Sequence, residues 1–243
     1  LAGVGEAAGA QGRPKLVLLP GLDGSGRLFG AFSGCVSEAV EPHSIGYPND
    51  RLWGYEELLA FVLERLPDGP CILLGESFSG PLAAMLAAAE PARVSGLVLV
   101  SSFARLPVPT WVAGMAGRFD AARCPHWFAD FVLTGGFTPP AMRAELFRQV
   151  KSLTPALVER RLHAVLGADV RPIIDDLQCP LLAVHGRADR LVPLWWARRD
   201  LGRRGGVEFH AVDGPHMLLQ SAPEAVAARI IEWLDRKQLR GSA

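Results

Sequence analysis

Five short runs along the chain are almost purely apolar: "KLVLLP" (15–20), "CILLGE" (71–76), "VSGLVLVSS" (94–102), "PLLAVHG" (180–186) and "VEFHAV" (207–212). A weaker run, "PHSIGYP" (42–48), adds a sixth candidate. A strand with one wet face alternates apolar and polar residues. Continuous apolar runs of this length instead predict strands covered on both faces, as in a parallel sheet. Between the runs lie segments with helical spacing: "GYEELLAFVLERL" (54–66), "FSGPLAAMLAAAE" (78–90), "PLWWARRDLG" (193–202) and "APEAVAARIIEWLDRKQ" (222–238). Strand and helix alternate, which predicts an α/β fold with a mostly parallel sheet, flanking helices and right-handed crossovers.

One stretch breaks the alternation. Residues 105–169 contain no convincing strand, only helix-like pieces such as "WVAGMAGRF", "CPHWFADFVLTGG", "PPAMRAELFRQVKSL" and "TPALVERRLHAVLG". An insertion this long in a compact domain usually has a function. The expected division is therefore a core of residues 1–104 and 170–243, with a helical cap of residues 105–169 inserted after the third clear strand (94–102).

Composition narrows the class. Hydrophobic residues make up 49% and charged residues 21%, which suits a folded globular chain rather than a disordered one. The formal net charge is zero, so no nucleic-acid partner is expected. No apolar run reaches the eighteen or so residues of a membrane span. The opening "LAGVGEAAGAQGRPK" has neither the charged start nor the apolar core of a secretion signal, and residues 1–14 are expected to form a flexible tail. The four cysteines, Cys35, Cys71, Cys124 and Cys179, lack metal or redox spacing, which favours a reduced, cytoplasmic setting. No metal or cofactor is expected.

Candidate chemistry centres on "LLGESFSGPLAAM" (73–85). A strand passes into a helix within one tight turn, where Ser77 would be exposed on a strained backbone at a helix N-terminus. Gly75 supplies the small residue two before it. Ser79 stands where the Gly-x-Ser-x-Gly pattern has its second glycine, and Gly80 follows. Glu76 is read as a turn residue without a chemical role.

A serine hydroxyl needs a base to take its proton, and the base needs a third group to orient it. Of six histidines, His216 lies in a polar turn between the last strand and the last helix, at the carboxyl edge where open α/β sheets bind ligands. His185 and His210 fall within apolar runs and read as packing residues. Asp189, in "HGRADRLVP", follows a strand at the same edge; Asp175 and Asp176 precede that strand, and Asp213 remains a rival close to His216 in sequence. The glycine-rich loop "LLPGLDGSGRLFG" after the first strand would offer the backbone N–H of Leu22 beside that of Phe78 as an oxyanion hole. That loop matches neither nucleotide-binding glycine pattern.

These residues together, in the order Ser77, Asp189, His216, make the chain resemble the α/β-hydrolase superfamily from about Lys15 to Lys237. The stretches "LVLLPGLDGSG", "LLGESFSGPLAAMLAAAEPARVSGLVLVSS", "CPLLAVHGRADRLVP" and "GPHMLLQSAPEAV" are most similar to its small capped carboxylesterases, the group that includes the pimeloyl-acyl-carrier-protein methyl ester esterases. The resemblance implies a serine hydrolase acting on small or medium acyl esters. Three departures stand out. The family's His-Gly is Pro20-Gly21 here, the elbow's last glycine is Ser79, and the amino-terminal region is too short for a full antiparallel opening hairpin. "PGLDGSG" also resembles plant esterase-like acyltransferases, so acyl transfer, a cofactor-free perhydrolase and a non-catalytic binding protein stay as alternatives. In the insertion, Trp111, Phe119, Trp127, Phe128, Phe131 and Phe137 would line an acyl slot or pack the cap. Arg143, Arg148, Lys151, Arg160 and Arg161 read as a solvated face or as a dock for an acidic acyl carrier protein.

Overall fold

The computed structural model describes residues 12–106, 126–135 and 138–240. Six strands form one sheet: β1 (Lys15–Leu19), β2 (Glu41–Ser44), β3 (Cys71–Glu76), β4 (Val94–Val100), β5 (Leu181–Gly186) and β6 (Glu208–Val212). Their order is β2-β1-β3-β4-β5-β6 and every pairing is parallel, so among the described residues no antiparallel hairpin opens the sheet. Only the start of the weak run at 42–48 is strand, the edge strand β2, whose exposure explains its mixed composition.

The uninterrupted apolar runs follow from two covered faces. Val17, Leu19, Leu73, Leu97, Leu99, Leu181 and Ala183 point into one core, shared with α2 (Tyr55–Leu63) and α3 (Ser79–Ala89). Their sequence neighbours Leu16, Leu18, Ile72, Leu74, Val98, Val100, Leu182 and Val184 point into the other. That second core is closed by α1 (Gly30–Val36) and by a long helix near the carboxyl end, Pro223–Arg236, whose Trp233 is fully buried. Residues of the inner strands β1, β3, β4 and β5 thus meet an apolar layer on either face.

Between β4 and β5 the described residues contain four helices: α4 (His126–Leu133), α5 (Pro140–Lys151), α6 (Pro155–Gly167) and α7 (Arg171–Asp176). The expected helix at "WVAGMAGRF", with Trp111 and Phe119, lies outside the described residues, as do Cys124, Phe137, the Phe128 side chain and most of the expected tail. After β5 come α8 (Leu194–Leu201), β6, the short α9 (Leu218–Ser221) and α10, the Pro223–Arg236 helix.

The register brings the chemistry to one edge. Leu19 pairs with Gly75, Glu76 with Val100, Val100 with Val184, and Gly186 with Val212. The loops leaving these strand ends carry Leu22, Ser77, Asp189 and His216. Asp175 and Asp176 end α7 ahead of β5, at the opposite edge as expected.

Candidate active site

Ser77 joins β3 to α3 with φ 47°, in the left-handed region that costs a residue other than glycine energy. The surroundings over-determine this conformation. Its N–H donates to Val100 O at 2.9 Å, and its carbonyl accepts from Gly80 N–H at 3.1 Å and from Ser102 Oγ at 2.6 Å. Space decides the neighbours. A Cβ on Gly75 would lie 2.6 Å from Ser79 O, and one on Gly80 would lie 1.8 Å from Ser102 Oγ. The second obligatory glycine of this elbow is therefore Gly80, one place later than the usual pattern.

Ser79 has a different part. Its buried hydroxyl donates to the Pro20 carbonyl and accepts from the Tyr47 hydroxyl at 2.5 Å. It thus ties the elbow to the start of the glycine-rich loop. Tyr55 Oη donates to Phe78 O at 2.6 Å, and its ring stacks on Phe78 with centroids 5.0 Å apart. Both of the chain's tyrosines serve this turn. Burial raises the hydroxyl pKa of each, so both stay protonated donors.

The structure brings Ser77, His216 and Asp189 into one hydrogen-bonded chain. Ser77 Oγ lies 2.8 Å from His216 Nε2, and His216 Nδ1 lies 2.9 Å from Asp189 Oδ2. The other carboxylate oxygen, Asp189 Oδ1, accepts from the backbone N–H groups of Leu191 and Val192 at 2.9 and 2.8 Å. Burial pushes the Asp189 carboxyl up, but His216 and the two N–H donors pull harder, and the net result lies below its usual value. Asp189 therefore stays an anion that accepts from Nδ1–H, leaving Nε2 with a lone pair facing Ser77. The rival Asp213 points to solvent and pairs with Arg187 at 3.1 Å.

The loop after β1 passes close by. A Cβ on Gly21 would lie 3.9 Å from Ser77 Cβ. Gly21 O accepts from Gly24 N–H at 3.0 Å, and Leu22 O accepts from Arg161 Nη1 at 2.7 Å. Asp23 turns its carboxylate onto Ser25 N–H at 2.9 Å, and burial raises its pKa against that bond and the charge of Arg161. Of the expected oxyanion donors, Phe78 follows Ser77 directly and Leu22 follows Gly21, with its carbonyl fixed by Arg161.

Helices from the β4–β5 segment pack against loops at this edge. Leu28, Leu146 and Met217 form one small apolar cluster, and Leu153, Leu157 and Val158 pack with Leu22 in another. Met217 N–H donates to Leu133 O at 2.9 Å, and Arg190 Nη1 donates to Phe131 O at 2.7 Å. Of the expected lining aromatics, Trp127 and Phe131 are exposed, and the Arg190 guanidinium covers the Phe131 ring at 3.8 Å. The five insertion cations are placed unequally. Arg161 is buried, with further bonds to Asn49 Oδ1 and Pro48 O, so it forms no part of an outer face. Arg143 pairs with Asp130, Arg148 with Glu145 and Arg160 with Glu57.

Sequence reasoning missed Tyr47, Tyr55, Ser102 and Gln220, whose Nε2 donates to Glu76 Oε1 at 3.0 Å, and placed Arg161 on the wrong face. Ser102 and Gln220 lie in the family-like stretches, but no pattern there marks their side chains. His185 is a packed strand residue as expected: it is fully buried, with neither ring nitrogen partnered among the described residues, and burial lowers its pKa to about 4.

The chain matches the alpha/beta hydrolase family over residues 16–229. It belongs to that family. Among curated proteins, the hydrolase is 31% identical over 185 residues to a pimeloyl-[acyl-carrier protein] methyl ester esterase of Neisseria meningitidis, covering 69% of this chain and 70% of the relative. It is 27% identical over 197 residues to the poly(3-hydroxyalkanoate) depolymerase of Ectopseudomonas oleovorans, covering 78% and 70%. Solved structures of the same fold include the enol-lactonase of Burkholderia xenovorans LB400 (TM-score 0.76, 18% identity, 95% and 94% covered). Another is an esterase of Exiguobacterium antarcticum (TM-score 0.78, 14% identity, 91% and 92% covered). With family membership and esterase relatives, the protein is a carboxylic ester hydrolase. Among the described residues no helix is long and apolar enough to cross a membrane.

Two predictions follow from the buried polar groups of the hydrolase. Ser79→Gly, which restores the usual pattern, leaves Tyr47 Oη and Pro20 O without their partner. It should lower stability by about 1–3 kcal/mol in urea titration, and a smaller further loss is expected when Tyr47→Phe is added. His185 carries a folded pKa of about 4 against 6.5 unfolded, so its contribution is complete above 6.5 and is lost as pH falls toward 4. His185→Leu should gain on the wild type across that window by up to about 1.4 kcal/mol per pH unit. A flat difference between the two urea-unfolding series would contradict the assignment.

Proposed function

We propose that the protein is a serine carboxylesterase that cleaves small or medium acyl esters through an acyl-enzyme, with Ser77 as nucleophile, His216 as base and Asp189 as the group that orients it. The observation that carries the reading is the unbroken chain Ser77 Oγ–His216 Nε2 at 2.8 Å and His216 Nδ1–Asp189 Oδ2 at 2.9 Å. His216 takes the serine proton as Oγ bonds to the ester carbonyl carbon. The carbonyl electrons move onto oxygen, where the N–H groups of Leu22 and Phe78 receive the oxyanion, helped by the N-terminus of α3. Asp189 favours the imidazolium that forms. The tetrahedral species collapses as the imidazolium protonates the leaving alcohol, and water then cleaves the acyl-serine by the reverse path.

In this reading residues 105–169 are a cap whose helices, packed on the loops of Leu22, Met217 and Arg190, form the roof of the acyl pocket. Core and cap would be separate in sequence but continuous in packing. The finer substrate, an ester on an acyl carrier protein, draws on the printed name of the Neisseria relative. Pairing of Arg143, Arg148 and Arg160 and burial of Arg161 leave Lys151 as the cation best placed for such a dock. A cytoplasmic setting suits the free Cys35, Cys71 and Cys179.

The test is hydrolysis of p-nitrophenyl esters across acyl lengths, repeated with a carrier-bound methyl ester. Ser77→Ala should lose all but a residue of activity, and Asp189→Asn about 10³–10⁴-fold in kcat. Activity retained by Ser77→Ala would overturn the reading. Ester or peracid product formed with added alcohol or peroxide, in preference to free acid, would instead favour the acyltransferase or perhydrolase alternative. No turnover at all would favour the non-catalytic one.

A further inference from the structure

Glu76, the residue before the nucleophile, is used nowhere in that mechanism. Yet its side chain is buried among the parts that carry it, and a buried carboxylate is costly unless its oxygens are satisfied. Oε1 accepts from Gln220 Nε2 at 3.0 Å. The other oxygen, Oε2, lies against the oxyanion loop, where a Cβ on Gly21 would sit 3.8 Å from it and the Gly21 backbone favours the charged carboxylate. Gly21 immediately precedes Leu22, the proposed oxyanion donor. Gln220 belongs to α9, which begins two residues after His216. One carboxylate therefore touches the elbow's own strand, the oxyanion loop and the helix behind the base.

We propose that Glu76 is a positioning residue for ester cleavage: as a carboxylate it holds Gly21 and Gln220 in place around Ser77 and adds a second negative charge, beyond Asp189, that favours the imidazolium of His216. The proposal rests on Ser77 being the nucleophile. It explains why a charged group occupies a place where a glutamine or an apolar residue would cost less to bury.

The groups facing Glu76 are few. Asp23 stands on the oxyanion loop, His216 on the loop after β6 and Gln220 on α9, while Arg161 of α6 faces Asp23. Burial pushes the Glu76 carboxyl up to about 7; Gln220 opposes that, Asp23 adds to it, and His216 and Gly21 N–H oppose it. The positioning form is the carboxylate, so it is complete at alkaline pH and is lost as pH falls through about 7. A base accepts the serine proton only in its neutral form. The acid limb of kcat/KM then carries the protonation of Glu76 as well as that of the base.

The two variants have opposite signs. Glu76→Gln removes the charge that supports the imidazolium, and its acid limb should move to lower pH by about half a unit or more. Its plateau kcat should fall about tenfold, from displacement of the loop, with KM changed by less than about threefold. Gln220→Met keeps the carboxylate but withdraws a donor to it, raising the Glu76 pKa, so its acid limb should move to higher pH. The experiment is a kcat and KM profile from pH 5 to 9 with p-nitrophenyl butyrate, followed by pH-stat, for the wild type, both variants and Ser77→Ala. Loosened packing alone lowers rates without moving limbs in opposite directions. Limbs that coincide with the wild type, or that move the same way, overturn the proposal while an inactive Ser77→Ala leaves the esterase reading standing. An active Ser77→Ala overturns the esterase reading itself. Should Glu76→Gln not fold, the upward shift in Gln220→Met carries the test, and its absence refutes the proposal.

Discussion

The left-handed backbone of Ser77 is the constraint on which the rest depends. A serine at φ 47° persists only where neighbours hold it. Here Val100 O, Gly80 N–H and Ser102 Oγ fix its two peptide groups, while Gly75 and Gly80 clear the space for α3 to start at once. Placing the hydroxyl above the sheet edge then requires the other strands to end in register, and the parallel pairing does this. β3, β4, β5 and β6 deliver their loops to one side, so Asp189 and His216 arrive without any long-range adjustment of the core.

The sheet and the Ser77–His216–Asp189 arrangement were legible in the sequence for a physical reason. Strands covered on both faces need apolar residues at every position, so their runs are continuous and their ends sharp. Polar residues just past those ends have few places to be except the carboxyl edge, which singled out Asp189 and His216. In the sequence Ser79 is only a departure from the pattern's second glycine. Its hydroxyl instead reaches Tyr47 and the Pro20 carbonyl, 32 and 59 residues away in sequence. Glu76 was read as a turn residue, and its partner Gln220 is 144 residues away. No periodicity or short motif encodes such contacts, because they depend on which loops the closed sheet brings together. Arg161 was grouped with exposed cations by its helical neighbours. Burial against Leu22 separates it from them.

The site holds two kinds of buried ionisable group, and they push in opposite directions. Burial disfavours the charged form of both His185 and Glu76, bringing one pKa down to about 4 and the other up to about 7. On acidification the first costs stability from about pH 6.5 down, while the second adds stability over nearly the same range. The two contributions oppose each other over most of that range. Asp189 stands apart, stabilised as an anion by Leu191, Val192 and His216.

The central claim is that Ser77 Oγ is a nucleophile made reactive by His216. Reaction with a fluorophosphonate, read by intact mass and peptide mapping, tests it most directly. One adduct per chain should form on the peptide carrying Ser77, be absent from Ser77→Ala, and form about 10²-fold or more slowly in His216→Ala. Equal labelling of Ser77→Ala, or an adduct on another residue, would contradict the account.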